Sequence, residues 1–432
     1  MPLRYCYIVI TLFMLLDQTA VHAASFGHFD PRSLAMGGTG VSSALSASAA
    51  YYNPALLSAV EEDNDFTLLV PTIGARLYDP QNLISSMEDY QDGKFETTFN
   101  NAIDTFNDVA LIDKISEASN VTAATQQLLN GLKTLDDKVL DFEVHGGVSL
   151  AVPNKTLGVG IIGTGRVMGG VVLDITDDDT ALIQKYLDTL EYVASGTASG
   201  TLHTDIYNDG TKKFEDPEGK LTSKALLRGA TVIENGISLA HEFESLEKLS
   251  IGITHKTVSV TTFDYDIGVE NAELDDDAVD NGQLEYNNTN FDLGFAKSLT
   301  RHWRMGLVIK NVLKKQYQTV LGHTIVLRPQ KRIGISHHTN LTTLAVDLDL
   351  DRNESIGLTG ETTQYAAVGM ELDLSLIQLR LGARHNLKAA GNVESNAISA
   401  GVGLYIFGLH ADVGVAVNDD ELEAAAQLGI QF

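Results

Sequence analysis

The chain has almost no cysteine, little proline, one tryptophan, few cations and no long apolar run in its body. Cys6 is its single cysteine in 432 residues. One thiol excludes a disulfide framework, a cysteine-based zinc site and a thioredoxin-like redox pair. Lys and Arg number 30 against 57 Asp and Glu, a formal net charge of -27. Nucleic-acid binding needs clustered cations that displace counterions, so no nucleic acid is expected as a partner. Past the first thirty residues, no apolar stretch is long enough to cross a bilayer as a helix. Yet 44% of the residues are hydrophobic, which excludes a disordered chain.

What is present starts at the N-terminus. Arg4 precedes an apolar run from Tyr5 to Leu16, followed by Thr19-Ala20-Val21-His22-Ala23-Ala24. A positive start, a short apolar centre and small residues at the end read as a secretory signal peptide over residues 1–23. Cys6 lies at the start of the apolar run and not after it, which excludes a lipoprotein.

From about residue 66 the dominant period is two. Leu344, Val346, Leu348 and Leu350 alternate with Ala345, Asp347, Asp349 and Asp351. Such alternation marks a strand with one apolar and one wet face. The same pattern recurs in Trp303–Lys310, Leu379–Arg384 and the last segment to Phe432, for about 14 strands in all. The connections alternate long and short, as in bacterial outer-membrane barrels. In lipid every backbone polar group needs an internal partner, and a closed sheet supplies one for each. The expectation is an all-β fold: a transmembrane β-barrel of about 14 antiparallel strands in the bacterial cell outer membrane. Phe432 resembles the terminal residue read by the barrel-assembly machinery. That machinery, outer-membrane lipid and lipopolysaccharide are therefore the expected partners.

Helix spacing appears in two of the long connections. Phe99, Ile103 and Phe106 recur at that spacing, as do Val121, Leu128, Leu132 and Leu135, and then Leu182, Tyr186, Leu190 and Val193. Both insertions, 76–141 and 176–228, are expected on the outer side. They are read either as a cap packing its own apolar stripe or as a vestibule receiving an apolar ligand.

Residues 24–65 fit neither period. They are rich in small residues and contain Ala35-Met36-Gly37-Gly38-Thr39-Gly40 and Asn53-Pro54-Ala55. The glycine cluster lacks the βαβ context of a dinucleotide loop. Asp30 to Leu57, reading DPRSLAMGGTGVSSALSASAAYYNPALL, resembles the N-terminal hatch of FadL-type outer-membrane transporters. Val70–Pro80, Trp303–Leu313 and Leu344–Leu350 look like segments of the plasmid-transfer TraF-like outer-membrane family. The resemblance implies a 14-stranded barrel (66–432) plugged by residues 24–65. It also implies uptake of hydrophobic small molecules, with Arg32, Gly37, Gly38, Gly40, Asn53 and Pro54 as structural residues of the hatch.

Other constellations are weighed against plainer readings. The ladder Asp347, Asp349, Asp351 lacks the glycine and glutamate of a calcium loop. A two-residue turn at Thr339-Asn340 would set Arg332 opposite Asp347 and Arg328 opposite Asp351, giving cross-strand ion pairs in the lumen. Asp177–Asp179 and Asp275–Asp277 read as solvated loop tips, with loose divalent-cation binding as the alternative. No zinc motif and no G-x-S-x-G context is present, so no cofactor, no metal and no enzymatic activity are expected. Passive transport of a hydrophobic or amphipathic small molecule is the leading function. The alternative is a non-transporting scaffold or partner in secretion or conjugation. A transporter should hold a closed lumen pocket lined by apolar and aromatic side chains. A scaffold should have a filled or polar lumen and an exposed apolar patch on its loops.

Overall fold

The structure, a computed structural model, describes residues 26–27, 29–59, 66–195, 199–215, 220–268, 281–389 and 395–431. The expected signal peptide, Asp275–Asp277 and Phe432 lie outside the described residues. Fourteen antiparallel strands close into one barrel. They are β1 (Thr67–Tyr78), β2 (Val139–Val152), β3 (Gly158–Asp174), β4 (Lys224–Phe243), β5 (Leu249–Gly268), β6 (Gln283–Ser298) and β7 (Trp303–Lys310). The second half is β8 (Gln330–His338), β9 (Thr342–Asp349), β10 (Tyr365–Asp373), β11 (Ile377–Asn386), β12 (Asn396–Ile406), β13 (Leu409–Val417) and β14 (Glu421–Gln431). β1 pairs with both β2 and β14, so no edge is left open. Its register shifts between Leu69 and Thr72, where Pro71 sits without a ladder donor to give.

Alternation divides each strand between two solvents. On β9, Leu344, Val346 and Leu348 face outward and are exposed, whereas Ala345, Asp347 and Asp349 face the lumen and are buried. Among the described residues, no helix is long and apolar enough to cross a membrane. Crossing is by strands: the protein is a membrane-embedded barrel with an apolar outer wall. β3 to β6 run for 16–20 residues, against 8–11 for β7 to β14. About ten residues suffice to span hydrocarbon, so one side of the barrel stands well above the other.

The long connections gather at one end, the short turns at the other. Helices α3 (Leu83–Gly93), α4 (Phe95–Asp108), α5 (Lys114–Leu135) and α6 (Asp177–Ala194) fill the two largest loops. α1 (Pro31–Ala35) and α2 (Ser46–Tyr52) belong to the plug described below. The amphipathic faces meet in a core of their own: Phe99, Ile103 and Phe106 pack with Leu128, Tyr186, Leu190 and Phe214. Phe99 meets Tyr186 edge-on at 5.5 Å, and Tyr186 stacks on Phe214 at 5.4 Å. This is the self-packed cap.

Asp179, in the first turn of α6, ties the cap to β4. Its carboxylate accepts from the Thr222 amide (2.8 Å), the Thr222 hydroxyl (2.9 Å), the Ser223 amide (2.8 Å) and the Ser223 hydroxyl. Burial opposes the charge, but the bonds from Ser223 and Thr222 outweigh it and hold the carboxyl below its usual range. A carboxyl so depressed stabilises the folded state above its unfolded pKa and loses that contribution as pH falls through its folded pKa. Hydrogen-exchange protection of the Thr222 and Ser223 amides should therefore fall on acidification below about pH 4. Asp179→Asn should show the loss already at neutral pH.

Candidate functional site

Residues 26–27 and 29–59 lie inside the barrel, at its short-turn end. Asp30 begins the plug's first helix, α1 (Pro31–Ala35), by accepting a bond from the Ser33 amide at 2.7 Å, with Pro31 preset for the first turn. Arg32 then reaches the wall. Its Nε and Nη2 each donate to Glu371 of β10 at 2.8 Å, and its Nη1 donates to the Ser43 carbonyl at 2.9 Å. Arg380 of β11 shares Glu371 at 2.7 Å and pairs with Asp412 of β13 at 2.5 Å. The lumen thus neutralises buried charges in a chain from plug to wall, without which each would be costly.

Gly37 (φ +71°) and Gly38 (φ +89°) occupy the left-handed region that lets the chain turn back after α1. The Gly37 amide donates to Ser399 Oγ at 3.0 Å. The Gly40 and Val41 amides donate to Asp347 Oδ2 at 2.8 and 3.0 Å. Asn53 separates α2 (Ser46–Tyr52) from a 3-10 turn, Pro54–Leu57. Its Oδ1 accepts from the Ala55 amide at 3.1 Å, and its Nδ2 donates to the Val41 and Phe295 carbonyls at 2.9 and 3.0 Å. Arg32, Gly37, Gly38, Gly40, Asn53 and Pro54 therefore all sit where plug meets wall or where the plug turns.

The expected ion pairs are corrected. β8 and β9 are joined by a four-residue turn, closed by the Thr339 hydroxyl accepting from the Leu341 and Thr342 amides. His338 therefore pairs with Thr343, and the register moves by two. Arg332 faces Asp349, its Nε 2.5 Å from Oδ1, and also donates to the Gly38 carbonyl at 3.0 Å. Asp347 instead takes the plug amides. Arg328 lies outside the strand and donates to the Arg352 carbonyl, while Asp351 pairs with Lys331 at 3.3 Å. Sequence reading also overlooked Lys256 of β5, buried between Glu234 of β4 (2.8 Å) and Asp292 of β6 (3.0 Å).

A second feature was overlooked: a belt of lumen-facing glycines under the plug. Neighbouring strands place them side by side as Gly252–Gly294, Gly306–Gly334, Gly369–Gly382 and Gly401–Gly414. A methyl at Gly306 would overlap the Val41 carbonyl, one at Gly369 the Met36 carbonyl, and one at Gly382 the Gly37 amide. The plug backbone rests directly on the wall backbone. The signal was available, since a glycine at an inward position of a strand pattern marks close backbone approach.

Above the plug the lumen is closed by two inward-folded loops. The hairpin Lys315–Gln318 with Thr324–Leu327 packs Tyr317, Ile325 and Leu327 against Met168, Val232, Val258 and Val260 of the wall. The segment 353–363 is held by Asp141 of β2, which accepts from Ser355 Oγ (2.8 Å), the Leu358 amide (2.7 Å), the Thr359 amide (3.2 Å) and the Thr359 hydroxyl. Arg76 of β1 joins this loop to β14: it pairs with Glu361 at 2.8 Å, with Glu423 at 3.4 Å and with Glu421.

Among the described residues, narrow clefts remain along the wall, two of which meet. One, between plug and wall and partly open to solvent, is lined by Phe26, Leu34 and Tyr365 beside Asp30, Arg76, Glu143, His145 and Glu423. The other, between the wall and the segment 353–363, sets Phe142, Met168 and Ile356 beside Asp141, Arg76 and Glu143. Arg76 and Glu143 line both, so the clefts share a wall. Their lining is mixed, in place of the apolar cavity expected of a transporter. On the cap, Leu111 (67%), Ile112 (86%) and Ile115 (55%) are exposed together at the corner between α4 and α5.

The model of a family described as "F plasmid transfer operon, TraF, protein" matches residues 50–349. No curated protein matches the sequence. Among solved structures, the chain is similar to the Ralstonia pickettii toluene transporter TbuX, at 13% identity, TM-score 0.47, 93% of this chain and 97% of that one. It is similar to the Pseudomonas putida toluene transporter TodX at 10% identity, TM-score 0.47, 95% of this chain and 98% of that one. A porin variant of Rh. blastica follows at 8% identity, TM-score 0.29, 85% of this chain and 100% of that one.

Proposed function

The chain belongs to the family described as F plasmid transfer operon, TraF, protein, and from this member's own lumen we propose that it is a passive outer-membrane channel for hydrophobic or amphipathic small molecules. The observation that carries the reading is the independence of plug and wall. The fourteen-strand ladder closes on itself through β1 and β14, and the plug adds no strand to it. A barrel of this size encloses more room than its own side chains fill. Here the wall leaves that room by placing glycine where bulk would serve a permanent core, and a separate segment occupies it. A molecule would enter beneath the segment 353–363, rest in the mixed clefts and leave when the plug shifts. Nothing in this path calls for bond chemistry, and we read the chain as a non-enzyme.

The test is uptake into proteoliposomes with a panel of long-chain fatty acids and aromatic hydrocarbons. At least one class should enter about tenfold faster than into protein-free vesicles. Equal rates across the panel would sink the reading.

A second reading, a scaffold in secretion or conjugation, has one specific observation in its favour. Leu111, Ile112 and Ile115 form an exposed apolar tip on a cap whose core is complete without them. Failure of uptake by every probe would favour it.

A further inference from the structure

We propose that the short-turn rim is sunk into lipid on one side, with Leu374, Leu376 and Phe407 immersed where acyl chains meet headgroups. Phe407 and Gly408 form the two-residue turn between β12 and β13. Phe407 is 98% exposed and stands at φ +51°, with Gly408 at +82°. Such a turn favours Asn-Gly, because asparagine tolerates the left-handed region. A phenylalanine there is disfavoured twice, by its Cβ in that region and by water around its ring. Lipid removes the second cost. The neighbouring turn, Leu374-Ser375-Leu376 between β10 and β11, is also apolar: both leucines are exposed, and no charge stands between the two strands. Asp373, at the end of β10, turns back to accept from the Ser375 amide at 2.8 Å. The two turns are neighbours, since the Tyr405 amide donates to the Leu376 carbonyl at 2.9 Å.

What covers these side chains follows from what they continue. On β11 the outward apolar run extends from Ile377 to Ala383, and the exposed pair His385–Asn396, bonded at 2.9 Å, ends it above. That is short of the roughly 9–11 residues a tilted strand needs to cross hydrocarbon. Continuing through Leu376 to Leu374 supplies the difference, as Phe407 does below Ile406 of β12. The apolar wall and these turns are one surface, and the lipid that covers the first covers the second. The edge of that surface is also where the aromatic girdles of such barrels lie. Turns across the barrel differ. Leu246, between β4 and β5, is surrounded by exposed Glu244, Glu247 and Lys248, and exposed Arg301 follows β6. Charges in that number stay in water, so the seat is one-sided.

The test is made by fluorescence on the full-length protein. Trp303 is the only tryptophan, so Trp303→Phe gives a dark background. Phe407→Trp, Leu376→Trp and Leu246→Trp are introduced into it one at a time. Each is reconstituted in phosphatidylcholine vesicles, either with lipids brominated high on the acyl chain or with iodide on both sides. Bromolipid should quench positions 407 and 376 at least about threefold more than position 246, and iodide should do the reverse. Quenching of 407 and 376 by iodide alone would place the rim in water, open to a soluble partner, and overturn the proposal. Equal bromolipid quenching at all three positions would overturn it as well. Position 376 or 407 alone decides the matter if the other variant does not assemble. Transport plays no part in the readout, so failure here leaves the channel reading standing.

Discussion

Deletion of residues 30–57 should turn a sealed barrel into an open pore, raising conductance in planar bilayers by at least about tenfold over the intact chain. The expectation follows from how plug and wall are joined. Every strand has both neighbours without the plug, so its removal breaks no ladder. Glu371 and Arg332 lose plug contacts but keep the wall partners Arg380 and Asp349. Removing the plug also bares the glycine belt, where the wall carries no side chains to fill the space. An unchanged conductance would assign the seal to Lys315–Leu327 and 353–363 and remove the plug from the gating role.

The second large effect concerns a single carboxylate. Glu371 of β10 is shared by Arg32 of the plug and Arg380 of the wall. In Glu371→Ala, Arg380 keeps Asp412 at 2.5 Å, whereas Arg32 keeps only the Ser43 carbonyl. Leaving a buried guanidinium without its ion-pair partner costs about 3 kcal/mol or more, roughly a hundredfold in the docked-to-undocked equilibrium of the plug. Limited proteolysis should therefore cut within residues 30–57 at about a hundredfold lower protease, with the barrel band intact. Equal resistance of the variant would show that the glycine contacts alone hold the plug.

Much of the fold was legible because its signals are local. Alternation such as Leu344–Asp351 reports a strand with two different solvents, and the loop rhythm reports which end each turn occupies. The helices of the cap were readable from Phe99, Ile103 and Phe106 for the same reason. α3, with Leu83 as its single buried residue, gave no apolar stripe and was missed. The plug was readable as an interruption of the period. What held it was only partly so. Arg332 and Asp347 were rightly singled out as buried lumen charges, but their partners depend on register, and register depends on one turn. Four residues in place of two moved Asp347 from an arginine to the amides of Gly40 and Val41. The inward folding of 315–327 and 353–363 left no pattern, because it rests on contacts between residues hundreds apart, such as Asp141 with Thr359.

The glycine belt bears on how far the two parts of the chain can be altered separately. At the belt main chain lies on main chain and the wall recognises the path of the plug, while elsewhere plug side chains such as Phe26, Tyr51 and Leu57 pack against the wall. A single inserted residue would throw every later contact out of step. Identity is fixed where a side chain crosses to the wall, as at Arg32, Tyr51 and Asn53. Exchange of whole plugs between related barrels should thus depend on segment length and those few crossings.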